Sequence, residues 1–457
     1  MSVVIYCLKI KLLCGFRGAI VTEVKIDFNE KIGNIKPMHA VGQPPFVGID
    51  FSHIHWLKDA GIPYSRLHDV GGLYGKNMFV DIPNIFRDFD ANENDPAAYD
   101  FVFTDLLIKG LMENNCPPVF RLGVTIENYF RIHRLRIIPP KDFMKWARIC
   151  EHIIRHYNEG WANGFEYGIV YWEVWNEPDN ELSAFNDGNI SNPMWHGTKE
   201  QYFELYEVTA KHLKSCFGDT IKVGGYAATG LFYSLLDLPK ENAPRYAYFN
   251  QFFEDFFAHL KKTQTPIDFF SWHSYVSTAE TELMADNIDR CLCEYGYADI
   301  ETHLNEWNNA GERKYHGTNI AASRFAAMMC AMQNKKTYML NVYDARIGLG
   351  DYGCLFDTHT YLPNLSYKSF IAFNELYKLG TQVKCELERN GLYAVAATNG
   401  TKKAVLIANE TENSFELSIP ACEGMDVYII SDVHSLGPVA YDPASFTLDK
   451  YSVALIK

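Results

Sequence analysis

The chain has 457 residues, of which 47% are hydrophobic and 21% are charged, and its formal net charge is −14. This composition is typical of a globular protein and excludes a disordered or fibrous chain. The acidic balance argues against a nucleic-acid partner, because phosphate binding requires a basic surface, and no run of about 18 apolar residues predicts a membrane span.

The N-terminal stretch VVIYCLKIKLLCGF is apolar, but Lys9 and Lys11 interrupt it and no basic residue precedes it. This order is the reverse of a secretory signal peptide, and we interpret the stretch as β-strand. The eleven cysteines are scattered without CxxC pairs, which is typical of reduced, buried thiols. These features predict a cytoplasmic protein with no bound metal, although they leave secretion open.

Strands alternate with helices from residue 36 to residue 380. Amphipathic stretches such as KDFMKWARICEHIIRHYNEG predict helices, and short apolar runs between them predict eight strands: MHAVGQPP, IPYSRLHD, PPVFRLG, GIVYWEVWNEP, TIKVGGYA, IDFFSWHSY, IETHLNEW and KTYMLNVYDA. Eight such units favour an α/β fold of the (β/α)8 TIM-barrel type. No GxGxxG motif follows the first strand, so no nucleotide cofactor is expected.

The pattern changes after residue 381. GLYAVAATNGTKKAVLIAN predicts two strands joined by an Asn-Gly turn, and SFELSIP, MDVYIIS and SVALIK continue as strands. We expect residues 381–457 and residues 1–35 to form an accessory antiparallel β-sandwich, built from both chain termini. The barrel is then the catalytic domain, over residues 36–380.

Catalytic residues of a TIM barrel lie where its strands end. Polar side chains stand at the predicted ends of strands two, three, four, six, seven and eight: Arg66, His68 and Asp69; Arg121; Asn176 and Glu177; His273 and Tyr275; Asn305 and Glu306; Tyr343, Asp344 and Arg346. Glu177 and Glu306 would face each other across the mouth. A carboxyl pair about 5–5.5 Å apart is the requirement of a retaining glycosidase.

The two carboxyl groups need different environments. Glu177 must be protonated to act as general acid, so its pKa has to be raised by burial, with Trp172 and Trp175 as candidate neighbours. Glu306 must be ionised to act as nucleophile, and Arg66 and Tyr275 are expected to support its charge. Asn176 is placed to bind a sugar 2-hydroxyl.

WEVWNEPD together with HLNEW resembles the glycoside hydrolases in which Asn-Glu-Pro ends strand four and a nucleophilic Glu ends strand seven. The whole chain is similar to family 39, which contains β-xylosidases and α-L-iduronidases. IKPMHAVGQPP, GIPYSRLHD, KVGGYA and DFFSWHSY carry the rest of the resemblance. It implies a retaining O-glycosidase with Glu177 as acid/base, Glu306 as nucleophile and Asn176 on the 2-hydroxyl.

The resemblance also implies that His68, His273 and Tyr275 line the −1 sugar subsite. Arg66 is a further candidate there, or a structural ion pair with Asp69 or Glu306. Trp195, Trp307 and Tyr343 are either sugar platforms or core residues.

The chain departs from family 39 at Asp69, where members usually have Gly, and at Asn305, where members often have Thr. It also departs in the loop DNELSAFNDGNISNPMW, which we expect to shape substrate choice. The expected substrate is an oligosaccharide or glycoside. The leading prediction for the activity is that of an exo-acting β-xylosidase. The alternatives are an arabinoside, a hexoside, a uronide, endo action, or carbohydrate binding without turnover. The sequence is compatible with a homo-oligomer and does not define the oligomeric state.

Overall fold

The structure is a computed structural model that describes residues 21–47, 50–70, 79–127, 136–181, 192–348, 352–442 and 444–457. The predicted strand in the first twenty residues lies outside these ranges. So does most of the loop that follows Glu177.

Two strands open the described chain: β1 (Thr22–Glu23) and β2 (Lys25–Asn34). Eight parallel strands then close into a barrel: β3 (Ala40–Gly42), β4 (Ser65–Leu67), β5 (Pro118–Leu122), β6 (Tyr171–Val174), β7 (Lys222–Ala228), β8 (Phe269–Ser274), β9 (Glu301–Trp307) and β10 (Met339–Tyr343). Each strand pairs with its neighbours in chain order, and β10 pairs with β3. Helices cover the outside while side chains fill the inside, which explains why these strands are apolar without strict alternation.

The helices lie between the barrel strands and after the last one: α1 (His55–Ala60), α2 (Ile82–Ile85), α3 (Val102–Glu113), α4 (Phe143–Asn158), α5 (Lys199–Phe217), α6 (Ala243–Thr263), α7 (Thr278–Tyr295), α8 (Asn319–Gln333) and α9 (Leu365–Tyr377). Two of them begin at capping boxes, in which Thr198 and Ser277 exchange hydrogen bonds with the residue three positions on. No helix within the described ranges is long and apolar enough to cross a membrane.

The C-terminal strands are β11 (Thr381–Glu386), β12 (Leu392–Thr398), β13 (Lys403–Asn409), β14 (Phe415–Ser418), β15 (Val427–Ile430), β16 (Ser435–Val439), β17 (Ser445–Leu448) and β18 (Ser452–Ile456). They form a seven-stranded sheet, β16-β15-β18-β13-β12-β11-β2, and a three-stranded sheet, β1-β14-β17. A separate hydrophobic core lies between the two sheets. The predicted sandwich built from both termini is confirmed, with one parallel pair, β1 with β14.

Helix α8 joins the sandwich to the barrel. Twelve of its fifteen residues are buried, and it packs against α7 and α9 on one side and β12, β13 and β18 on the other. At its end, Nε2 of Gln333 donates hydrogen bonds to the carbonyl of Asn34 and to Oε1 of Gln382, which belong to the sandwich. A helix that is apolar on all sides is expected in such a buried position.

Candidate active site

Glu177 and Glu306 lie together at the mouth of the barrel, where strands β6 and β9 end. Glu306 is the sixth residue of β9 and pairs in register with His273 on β8. Glu177 follows β6 in a turn, with a φ of 44° and its amide donating to the carbonyl of Ala227 at 3.2 Å. A positive φ is uncommon for a residue with a side chain, and here it accompanies a carboxyl group held at the site.

The two carboxyl groups and His273 form one compact cluster. A carboxyl oxygen of Glu177, a carboxyl oxygen of Glu306 and a ring nitrogen of His273 all lie within 4.8 Å of one another. The side chains of Glu177 and Glu306 are 11% and 9% exposed, so water reaches both only partly. This close approach fits the double-displacement geometry, with carboxyl groups about 5–5.5 Å apart, rather than the roughly 6.5–9.5 Å of an inverting enzyme.

Glu177 is surrounded so that its neutral form is favoured. Burial raises the pKa of Glu177 to about 7, while a hydrogen bond from Asn180 and the charge of Arg66 lower it. Nδ2 of Asn180 donates to Oε2 at 2.7 Å, and Nδ1 of His273 lies 2.7 Å from Oε1. Both oxygens of this carboxyl group therefore have a protein partner.

The two tryptophans proposed as neighbours of Glu177 pack in the core. Trp172 stacks on Phe120 with ring centroids 5.1 Å apart, and Trp175 makes an edge contact with Trp195 at 5.0 Å. Trp195, one of the candidate sugar platforms, is itself 2% exposed. The side chains that hydrogen-bond to the carboxyl group of Glu177 are Asn180 and His273.

Glu306 receives two strong hydrogen bonds. Nη1 of Arg66 donates to Oε2 at 3.0 Å, and the hydroxyl of Tyr275 donates to Oε1 at 2.5 Å. Burial and the nearby charge of Glu177 raise the pKa of Glu306, whereas His273, Arg66 and Tyr275 lower it. The two donated hydrogen bonds stabilise the ionised form of the Glu306 carboxyl group.

Arg66 is fully buried, and it hydrogen-bonds to residues at the ends of β6 and β9 as well as to a residue inside the barrel. It pairs with Glu173 on β6, whose Oε2 accepts from Nε at 2.8 Å, and its Nη2 donates to Oδ1 of Asn176 at 2.5 Å. Ser271 and Asn305 complete the shell by donating to Oε1 of Glu173. Of the two ion pairs expected for Arg66, the pair with Glu306 is present. Asp69 instead contacts His68 and Tyr343.

Glu173 has no assigned role in the sequence interpretation, although it lies at the centre of these contacts. The signal that could have found it is its position inside β6, where a carboxylate interrupts an apolar strand and requires a buried cation. Asn180 and Arg245 were also missed. They lie 65 residues apart, and no local pattern connects them.

Asp69, His68 and Tyr343 form the opposite rim of the site. Oδ2 of Asp69 accepts from the hydroxyl of Tyr343 at 3.0 Å, and Oδ1 lies 3.3 Å from Nε2 of His68. Arg346 lies behind them, donating from Nε to Oδ2 of Asp344 at 2.7 Å. Burial raises the pKa of Asp69, and Arg346 and Tyr343 lower it. The site therefore carries a third carboxyl group, Asp69, in addition to Glu177 and Glu306.

Trp307, proposed as a substrate contact, lies in the core. It is fully buried and makes an edge contact with Phe325 of α8, with centroids 5.4 Å apart. Side chains alternate along a strand, so Glu306 points into the mouth while Trp307 points to the helices. Trp307 therefore packs as a core residue, which is one of the two alternatives that the sequence left open for it.

Two groups of described residues have metal-ligand chemistry. One is the Glu177, His273 and Glu306 cluster, and the other is Glu151, His212 and Cys216 on the outer face of α4 and α5. In the first, the guanidinium of Arg66 already supplies positive charge to Glu306. That arrangement fits acid–base and nucleophilic chemistry by the carboxyl groups themselves.

Comparison with known proteins agrees with this architecture. Curated β-xylosidases from Geobacillus stearothermophilus and Caldicellulosiruptor saccharolyticus are 26% identical to the chain over 240 and 274 residues. These matches cover 50% and 55% of the chain, but 39% and 47% of the relatives. The chain thus aligns with less than half the length of the curated relatives it matches.

Solved structures share the fold over nearly the whole chain. A glucosidase from Croceicoccus marinus superposes with a TM-score of 0.73 at 20% identity, covering 95% of this chain and 98% of that one. A family 39 β-xylosidase from Caulobacter crescentus gives 0.67 at 15% identity, with coverage of 95% and 99%. Residues 53–319, which include both carboxyl groups at the barrel mouth, match the family described as Glycosyl hydrolases family 39. The chain belongs to glycosyl hydrolases family 39.

Proposed function

We propose that the protein is a retaining glycoside hydrolase that works through a covalent glycosyl-enzyme intermediate. The observation that carries the proposal is the close pair of buried carboxyl groups, Glu177 and Glu306, with different partners. Glu306 accepts from Arg66 and Tyr275, which stabilise an anion. Glu177 has a pKa raised by burial to about 7, which suits a group that donates and later removes a proton.

The reaction then has two steps. In the first, Glu306 attacks the anomeric carbon while Glu177 gives its proton to the departing glycosidic oxygen. In the second, ionised Glu177 takes a proton from water, and that water cleaves the ester between the sugar and Glu306. Asn176 is the 2-hydroxyl contact in this proposal, and His68, His273, Tyr275 and Tyr343 border the −1 subsite.

We further propose a neutral substrate, with a β-xyloside first. The named relatives that match the sequence are β-xylosidases. The charges at the mouth also disfavour a uronide, because Arg66 is already paired with Glu173 and Glu306, and Arg346 is paired with Asp344.

The proposal is tested with aryl glycosides. We expect hydrolysis of an aryl β-xyloside, with arabinosides, glucosides and glucuronides assayed in parallel, and proton NMR showing initial release of the β-anomer. A 2-deoxy-2-fluoro glycoside with a good leaving group should inactivate the enzyme and add the mass of the fluorosugar to the peptide that contains Glu306. Release of the α-anomer, or labelling at another residue, would contradict the mechanism. Binding without hydrolysis of any sugar would indicate a carbohydrate-binding protein.

A further inference from the structure

We infer that Arg245 is a positioning residue for the acid/base Glu177, acting by fixing the orientation of the Asn180 side-chain amide that lies between them. The inference rests on the proposed function, because it assigns Glu177 a transferable proton. Arg245 lies in the first turn of α6. Asn180 lies in the segment after Pro178, three residues beyond Glu177.

The three side chains form a chain of two hydrogen bonds. Nη2 of Arg245 donates to Oδ1 of Asn180 at 2.8 Å, and Nδ2 of Asn180 donates to Oε2 of Glu177 at 2.7 Å. An amide has an acceptor at one end and a donor at the other, whereas a guanidinium has donors only. Arg245 therefore requires the oxygen of the amide to face it, and the NH2 group must face Glu177.

This orientation decides which oxygen of Glu177 carries the proton. The donated N–H makes Oε2 an acceptor, so the proton of the neutral acid resides on Oε1, the oxygen that lies 2.7 Å from Nδ1 of His273. His273 also lies between Glu177 and Glu306. If the amide turned over, its oxygen would face Oε2 and draw the proton there, away from the cluster with Glu306.

The geometry around Arg245 restricts its movement. Its guanidinium carbon lies 5.1 Å from the ring centroid of buried Phe249, one helical turn along α6. The segment that carries Asn180 is also held, because Asp179 accepts hydrogen bonds from the amide and the hydroxyl of Thr229, the latter at 2.7 Å. Both ends of the chain of hydrogen bonds are thus anchored to the barrel.

Other charged and titratable groups also act on Glu177, and the test has to separate them from Arg245. Those that face it are Arg66, Asp69, Asp179, Tyr233, His273 and Glu306. Against the dominant effect of burial, the Asn180 hydrogen bond and the Arg245 charge both lower the pKa of Glu177. Loss of either therefore raises that pKa, and the acid remains protonated to higher pH.

The decisive experiment is a double-mutant cycle read in two ways. Arg245→Met, Asn180→Ala and the double variant are titrated without ligand by 13C NMR of labelled glutamate, with Glu177→Gln identifying the resonance. Arg245→Met and Asn180→Ala should each raise the pKa of Glu177 by about half a pH unit, and the basic limb of kcat/KM should move upward equally. In the Asn180→Ala background, Arg245→Met should cause a clearly smaller shift, because only the direct effect of the Arg245 charge remains.

The same variants should lower kcat/KM about tenfold on an aryl glycoside with a poor leaving group and leave kcat/KM on a dinitrophenyl glycoside unaffected, because kcat/KM reports the first step. Arg245→Lys, which keeps a donor and the charge, should stay close to wild type and also serves if Arg245→Met does not fold. Arg389→Met is the matched control, because Arg389 lies 5.1 Å over Phe415 in the sandwich, far from the site.

If Arg245→Met shifts the pKa of Glu177 equally with and without Asn180, Arg245 acts only through its charge. If Arg245→Met does not shift that pKa at all, its role is structural. Either result overturns the inference. If wild type hydrolyses no glycoside, the proposed function fails, while the NMR titration still tests whether Arg245 acts through Asn180.

Discussion

His273 and Glu177 share a single short hydrogen bond, with Nδ1 of the imidazole 2.7 Å from Oε1 of the carboxyl group. Burial lowers the pKa of His273 to about 4, so the ring is neutral near pH 7 and carries one proton. Nδ1 accepts from protonated Glu177 in the tautomer whose ring proton is on Nε2, and it donates to ionised Glu177 in the tautomer whose ring proton is on Nδ1. The imidazole therefore suits both the acid and the base role of Glu177 without changing its charge.

The pH dependence of kcat/KM should be bell-shaped. Glu177 is active as an acid only when protonated, so the rate should fall as the pH rises through its pKa of about 7. Glu306 is active only when ionised, so the rate should fall as the pH drops through its own pKa, which burial raises above the ordinary value. Initial rates on a phenyl glycoside between pH 4 and pH 9 test this. A rate that is constant from about pH 6 to pH 9 would contradict the acid role of Glu177.

Glu177→Ala should lower kcat/KM for substrates with poor leaving groups by about 10²–10⁴-fold, because the departing oxygen receives no proton. A dinitrophenyl glycoside needs no protonation and should lose far less in the first step. The basic limb of the pH profile should disappear for that substrate. Equal losses on both substrates would indicate that Glu177 binds substrate without transferring a proton.

Tyr275→Phe should lower kcat/KM by about 10²–10³-fold, because it removes the hydroxyl that donates to Oε1 of Glu306 at 2.5 Å. The ring remains, including its contact with Tyr352, whose centroid lies 5.3 Å away. The melting temperature should therefore change little. A loss of activity that parallels a loss of folded protein would assign Tyr275 to stability instead.

Arg66→Met should destabilise the fold by about 3–5 kcal/mol, because it leaves Glu173 and Glu306 buried without their common cation. Urea unfolding measures this change. The control is Arg290→Met, which removes an exposed pair with Glu294 on α7 and should cost less than about 1 kcal/mol. Comparable costs for the two variants would mean that the buried cluster contributes nothing particular to stability.

Asp69→Asn should move the basic limb of kcat/KM to lower pH. The negative charge of Asp69 raises the pKa of Glu177, so neutralising Asp69 lowers that pKa and the acid deprotonates earlier. Asn suits the site because Asp69 has a φ of 49°, a conformation that Asn tolerates well. If the basic limb moves to higher pH or does not move, the charge of Asp69 does not raise the pKa of Glu177. Arg245→Met is expected to move the basic limb to higher pH, so each variant serves as a control for a general effect of mutation on the pH profile.

The barrel could be predicted because its signals are local. Each strand is a short apolar run next to an amphipathic helix, and the rule that chemistry lies at strand ends then located Glu177 and Glu306. The Asn-Gly turn at residues 399 and 400 likewise predicted the β12–β13 hairpin, which forms in register. These inferences need no knowledge of packing between distant segments.

The environment of the carboxyl groups could not be predicted in this way. The tryptophans near Glu177 in sequence point into the core, while its closest partners come from β8 and from the segment held by α6. For Trp307 the sequence leaves a sugar platform and a core position open, and strand alternation places its side chain on the side opposite to Glu306, against Phe325. Side-chain direction at a strand end depends on the exact residue at which the strand stops, and sequence patterns do not define that residue.

The burial of α8 on two sides has a consequence for thermal unfolding. If the terminal sandwich melted alone, the apolar face of α8 that β12, β13 and β18 cover would be exposed to water, and the barrel would lose a wall of its own core. The free energy of that exposure couples the two layers. Calorimetry should therefore record one cooperative heat-absorption peak, rather than an early sandwich transition followed by a barrel transition.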